Sequence, residues 1–130
     1  MKKFILSCIA VLAMPLSIFS QGWPANYGGV MLQGFYWDSQ KETNWKVLTN
    51  QADELSKYFD LIWVPNSGTP SSYYHNSTST SMGYDPCFWL THNSSFGTEE
   101  ELRTMIATYK AKGTGIIEYV VINHKNGLSD

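Results

Sequence analysis

Residues able to do chemistry are few in this chain, and they gather at two places. Asn123 and His124 stand together where a β-branched run, Ile116-Ile117 and Val120-Val121-Ile122, stops. An imidazole can hold a hydroxyl or pass a proton, and an amide oxygen accepts from a hydroxyl or ligates a hard cation. The second place is Tyr84-Asp85, an aromatic ring beside a carboxylate in a stretch rich in Ser, Thr, Asn and Gly. Asp38 follows an earlier apolar run. Each has a plain structural reading as well: a turn histidine, a strand-capping asparagine, a surface tyrosine, loop carboxylates. A lone Cys87 after Pro86 reads as a small buried residue rather than a nucleophile.

The elements that must position these residues follow from periodicity. Gly115 to Ile122 is a short, nearly continuous apolar run, the pattern of a strand buried on both faces in a parallel sheet. Alternation puts Tyr119, Val121 and Asn123 on one face and Glu118, Val120 and Ile122 on the other. In α/β folds the C-terminal ends of strands are where ligands bind, and Asn123-His124 sits at such an end. Upstream, Val30 to Trp37 reads as a first strand running into a loop. Asn44 then caps a helix with an apolar face of Trp45, Leu48, Ala52, Leu55 and Phe59. Leu61 to Val64 is a second buried strand, halted by Pro65. Residues 66–96 form a long connection, and a loop of that length in a compact domain signals function. Disorder is the competing reading for residues 71–81. Thr98-Glu99-Glu100-Glu101 is a capping box, opening a helix that buries Leu102, Met105, Ile106 and Tyr109 and closes at Lys110, Lys112 and Gly113.

The chain has 130 residues, and its first 20 combine Lys2-Lys3 with the apolar run Phe4 to Ile18. That is a secretory signal peptide: the run is too short for a membrane span and Pro15 interrupts it. Cys8 lies too early to be a lipoprotein anchor. Cleavage is expected near Gln21, with residues 21–130 as the mature part and a secreted or periplasmic destination. Lys2 and Lys3 leave with the signal, so basic residues fall from 9 to 7 against 11 acidic, a net charge of −4. A nucleic-acid binder would carry a basic stripe instead. One remaining cysteine excludes an internal disulfide. High aromatic content fits either stacking platforms or an aromatic core. Asn76-Ser77-Thr78 and Asn93-Ser94-Ser95 match the glycosylation pattern, which is frequent by chance.

Four segments share a resemblance. Val120-Val-Ile-Asn-His124 resembles the first conserved region of the α-amylase family of glycoside hydrolases, family 13, at the end of the third strand of a (β/α)8 barrel. Gln33-Gly-Phe followed by Trp37 resembles the family's opening strand. Gly83-Tyr-Asp-Pro86 resembles the segment whose tyrosine stacks on the sugar ring at the cleavage point. Phe96-Gly-Thr98 resembles the start of the second barrel helix. The ordered set implies an α/β fold: the first three strands and two helices of an α-amylase-type TIM barrel.

By that resemblance the activity is endo-cleavage of α-1,4-glucans. Tyr84 would offer its ring to a sugar, His124 would bind hydroxyls at the cleavage subsite, and Asp85 is a further sugar-contacting residue. Asn123 would supply one oxygen to a structural calcium, which wants about six to eight oxygen ligands. The family's catalytic carboxylates come from the fourth, fifth and seventh strands, so no catalytic residue is expected in this chain. A retaining pair stands about 5–5.5 Å apart, and Asp38 and Asp85 match neither motif. The chain is therefore expected to be an inactive N-terminal piece, with a non-catalytic glucan-binding or remnant protein as the alternative. One position departs from the family: Tyr119 replaces an Asp. On an inward face its ring would overpack a closed barrel, typically costing about 1–3 kcal/mol. Oligomeric state is not legible.

Overall fold

The computed structural model describes residues 27–76 and 80–127. The signal peptide, its cleavage point and most of the Asn76 glycosylation motif lie outside the described residues.

Three short parallel strands make the central sheet in the order β1-β2-β5: β1 Met31–Gln33, β2 Leu61–Val64 and β5 Gly115–Glu118. The registers pair Met31 with Leu61 and Leu61 with Gly115. Alternation then sends Leu32, Ile62, Val64 and Ile116 to one face, which packs on helices α1 (Trp45–Leu55) and α3 (Glu99–Ala111). Ile62, Val64, Trp45, Phe96, Met105 and Tyr109 are shut off from solvent there. Met31, Leu61, Trp63 and Ile117 fall on the opposite face and line an open apolar groove of ≈ 420 Å³ with Tyr27 and Gly29.

Both helix starts follow from their sequence. The Asn44 side chain accepts from Val47 N–H at 3.0 Å. At α3, Thr98 Oγ1 accepts from Glu101 N–H at 3.3 Å while Glu101 accepts from Thr98 N–H at 3.0 Å. Lys46 bridges to Glu101 at 2.8 Å and holds its carboxyl below the usual range. Gly113 ends α3 at φ 83°, the left-handed position a side chain would strain.

Three expectations change. The third strand stops at Glu118, four residues early, and its residues are half-buried instead of enclosed. Its last ladder bond runs from Tyr119 N–H to the Val64 carbonyl at 2.9 Å. Pro65 follows Val64 and has no N–H to offer, so pairing ends there. β5 is also the edge of the sheet, which leaves Val120 and Ile122 exposed. Ile106 is exposed rather than core, because it faces a groove along that same edge. Finally, the long connection carries structure: a two-stranded antiparallel ribbon of β3 (Thr69–Pro70) and β4 (Pro86–Phe88), with the short helix α2 (Ser71–Asn76) after β3.

The buried Tyr109 hydroxyl donates to the Leu48 carbonyl at 2.8 Å, tying α3 to α1. Burial pushes its phenol up to about 12. A folded-state pKa above the unfolded value of about 10 makes the stabilisation complete below that pH. It is lost as pH rises towards about 12. Urea titrations between those two pH values should show stability falling, and Tyr109→Phe should flatten that slope. An unchanged slope would mean another group governs alkaline unfolding.

Candidate functional site

The C-terminal ends of β1, β2 and β5 meet the loops that carry the candidate residues. After β1 the chain makes a tight turn knotted by Ser39, which is fully buried. Its hydroxyl donates to the Tyr36 carbonyl at 2.6 Å and accepts from Tyr36 N–H at 3.0 Å. Asp38 takes the left-handed conformation at φ 62°, and Trp37 and Asp38 project from the tip. Gln40 anchors this turn to the long connection, its amide donating to the Thr80 carbonyl at 2.5 Å.

Gly83 sets up the second loop. Its φ of 89° brings it against Asn66, where an added Cβ would lie 2.6 Å from the backbone oxygen. The turn is closed by Ser81, whose hydroxyl accepts from Gly83 N–H at 3.1 Å and donates to the Asp85 carboxylate. Tyr84 therefore leaves this turn with a fixed direction. Its ring stacks on Trp37, with centroids 6.0 Å apart and planes at 21°. On another side it meets the ring of Tyr119 edge-on, at 5.3 Å and 65°. Trp37 is 69% exposed, Tyr84 40% and Tyr119 39%, so among the described residues the three rings form a surface.

His124 joins the same assembly. Its Nε2 lies 2.9 Å from the Tyr84 carbonyl, which can only accept, so the proton sits on Nε2. Two further bonds stitch this segment to the long connection: Trp89 Nε1–H to the Val121 carbonyl and Asn126 N–H to the Pro86 carbonyl, at 2.9 and 2.8 Å. Beside the rings opens a cleft of ≈ 420 Å³ lined by Trp37, Asp38, Ser81, Tyr84 and Asp85 among others. Tyr84, Asp85 and His124 are thus brought together, and Asp38 is close by. Asn123 stands exposed and apart from the cleft lining. Among the described residues no three His, Cys, Asp or Glu side chains are grouped to hold a metal. One amide oxygen falls short of the oxygen cage calcium needs, so the residues described do not fit that ion by themselves.

Sequence reasoning missed the Trp37 stack, the Tyr119 contact and a second polar cluster. In that cluster the buried Ser67 hydroxyl donates to Glu118 Oε1 at 2.6 Å and lies 2.7 Å from His92 Nδ1. Ser67 N–H donates to the same carboxylate oxygen at 2.7 Å. A fully buried hydroxyl between a half-buried imidazole and carboxylate ties the loop to β5, and we assign it no nucleophilic role. Its members stand 25 and 51 residues apart, so no local pattern announced them.

No family model matches the chain. It is similar to alpha-amylase 3, chloroplastic, of Arabidopsis thaliana, 29% identical over 98 residues, 74% of this chain and 10% of that protein. The glucan 1,4-alpha-maltotetraohydrolase of Stutzerimonas stutzeri is 30% identical over 108 residues, 77% of this chain and 20% of that protein. The chain thus spans about a tenth to a fifth of the length of these relatives. Among solved structures, a MutB mutant in complex with the substrate sucrose superposes with a TM-score of 0.63 at 27% identity, covering 80% of this chain and 18% of that chain. The trehalose-6-phosphate hydrolase of Bacillus licheniformis gives 0.56 at 17% identity over 75% of this chain and 17% of that enzyme, a likeness of fold alone.

Proposed function

We propose that this chain, a homologue of the α-amylases of glycoside hydrolase family 13, forms one wall of a site for α-1,4-linked glucans within an exported α-amylase-type hydrolase. The observation that carries the reading is the ring surface of Trp37, Tyr84 and Tyr119, set beside Asp85 and His124 at the C-terminal ends of parallel strands. Sugar rings have one apolar face and a rim of hydroxyls. Exposed aromatic rings remove that face from water, and the carboxylate of Asp85 accepts from hydroxyls. His124 keeps Nε2–H on the Tyr84 carbonyl, which in the neutral ring leaves Nδ1 as an acceptor.

Hydrolysis needs more than positioning. A retaining mechanism takes a nucleophile and an acid/base carboxyl about 5–5.5 Å apart. Asp85 is tied to Ser81 and Asp38 sits on an exposed turn tip, and neither is assigned either role. Asn123 is a single oxygen ligand towards calcium, so the 130 residues alone should bind that ion weakly. A non-catalytic glucan-binding protein is the second reading, favoured by a ring surface that needs no carboxylate pair.

Calorimetry of the exported chain with maltoheptaose should show binding, and incubation with soluble starch should release no reducing sugar above a heat-killed control. Absence of binding removes the glucan reading. Sugar release that survives purification and disappears in His124→Ala would place catalysis in these residues.

A further inference from the structure

We infer that Tyr119 is a positioning and specificity-determining residue, which fixes the Tyr84 ring and extends the sugar-facing surface from two rings to three. The inference rests on the glucan reading for its ligand, a pyranose oligosaccharide, but its structural half stands on geometry alone. The Tyr119 backbone is pinned at the last ladder bond of β5, N–H to the Val64 carbonyl at 2.9 Å. From that fixed point its ring meets the Tyr84 ring at 5.3 Å and 65°, a favourable T-shaped geometry. Trp37 covers Tyr84 from another direction at 6.0 Å and 21°. Five residues beyond Tyr119, His124 holds the Tyr84 carbonyl at 2.9 Å. The segment leaving β5 therefore grips Tyr84 twice, by ring and by backbone.

Three separate elements supply the rings: the turn after β1, the loop before β4 and the end of β5. None is buried among the described residues. An Asp in place of Tyr119 could neither pair with the Tyr84 ring nor offer an apolar face to a sugar. Tyr119 thereby makes this site more aromatic and less acidic than an Asp at the same place would. Its ligand preference should lean on ring stacking rather than hydroxyl bonding.

The test uses the exported chain with Tyr119→Phe, Tyr119→Leu and Tyr119→Asp, reading two quantities. Maltoheptaose affinity by calorimetry should be held by Phe within about twofold and weakened about five- to tenfold by Leu and Asp. Independently of sugar, the Tyr84 ring resonances in ¹³C-tyrosine-labelled protein should stay in place for Phe and move for Leu and Asp. Leu keeps apolar bulk and guards against an Asp variant that fails to fold. If the wild type binds no sugar, the glucan reading fails, and the ring resonances alone judge the positioning role. Unmoved Tyr84 resonances in Tyr119→Leu, or wild-type affinity in that variant, would overturn the inference.

Discussion

Trp45→Ala is expected to remove most of the fold's stability, about 3–5 kcal/mol, out of a total that for domains is typically about 5–15 kcal/mol. Trp45 is fully buried where α1 begins, between the sheet and the start of α3. Its ring meets Phe96 at 5.4 Å, and its backbone N–H donates to the Phe96 carbonyl at 2.9 Å. Gly97 comes so close that an added Cβ would lie 2.8 Å from the indole. Truncation would leave a cavity among rigid elements that cannot collapse into it. Among the described residues the indole Nε1 is buried without a hydrogen-bond partner, and an unsatisfied donor costs about 1–3 kcal/mol. Trp45→Phe removes that donor while keeping a ring, so it should cost far less than Ala. Urea unfolding followed by circular dichroism distinguishes the two. A loss under about 1 kcal/mol for Ala would show that the core does not depend on this ring.

Gly83→Ala should abolish detectable maltoheptaose binding while leaving the helices intact. Two costs combine at this position. The left-handed backbone at φ 89° strains any side chain by about 1–3 kcal/mol. The new Cβ would also lie 2.6 Å from the Asn66 carbonyl oxygen and 2.9 Å from its Cβ. Those atoms belong to the backbone and Cβ of the segment leaving β2, which cannot swing away as a long side chain would. The loop must shift instead, carrying Tyr84 off Trp37 and breaking the Ser81 turn. Gly113→Ala supplies the control, since its φ is 83° but nothing stands within 4 Å of an added Cβ. That variant should lose some stability and keep sugar affinity. Equal affinity in Gly83→Ala would mean that Tyr84 is not where sugar binds.

Local chemistry made α1, α3 and the strand order legible, because caps and apolar spacing are written within a few residues of where they act. Asn44, Thr98 and Glu101 do in three dimensions what their positions imply. The relatives and structural neighbours agree with the family resemblance carried by residues 33–37, 83–86, 96–98 and 120–124. The end of β5 was not legible, because it is decided by Pro65, just past the neighbouring strand β2, and by the absence of a further strand at that edge of the described sheet. Ile106 failed for the same reason: helical spacing says which face is apolar, not whether anything covers it. The site was half legible. Tyr84, Asp85 and His124 could be singled out by resemblance. The partners that orient Tyr84 come from 47 residues upstream and 35 downstream, as Trp37 and Tyr119. Such contacts exist only after folding, as does the buried tie of Ser67, His92 and Glu118.

The most direct test of a glucan site at these strand ends is to map where sugar touches the chain. Amide and aromatic resonances of ¹⁵N- and ¹³C-labelled protein would be followed through a maltoheptaose titration. Shifts should concentrate on Trp37, Tyr84, Asp85, Tyr119 and His124 and should spare Met31, Leu61 and Ile117 on the open face of the sheet. Shifts confined to that open face, or none at all at saturating sugar, would contradict the assignment.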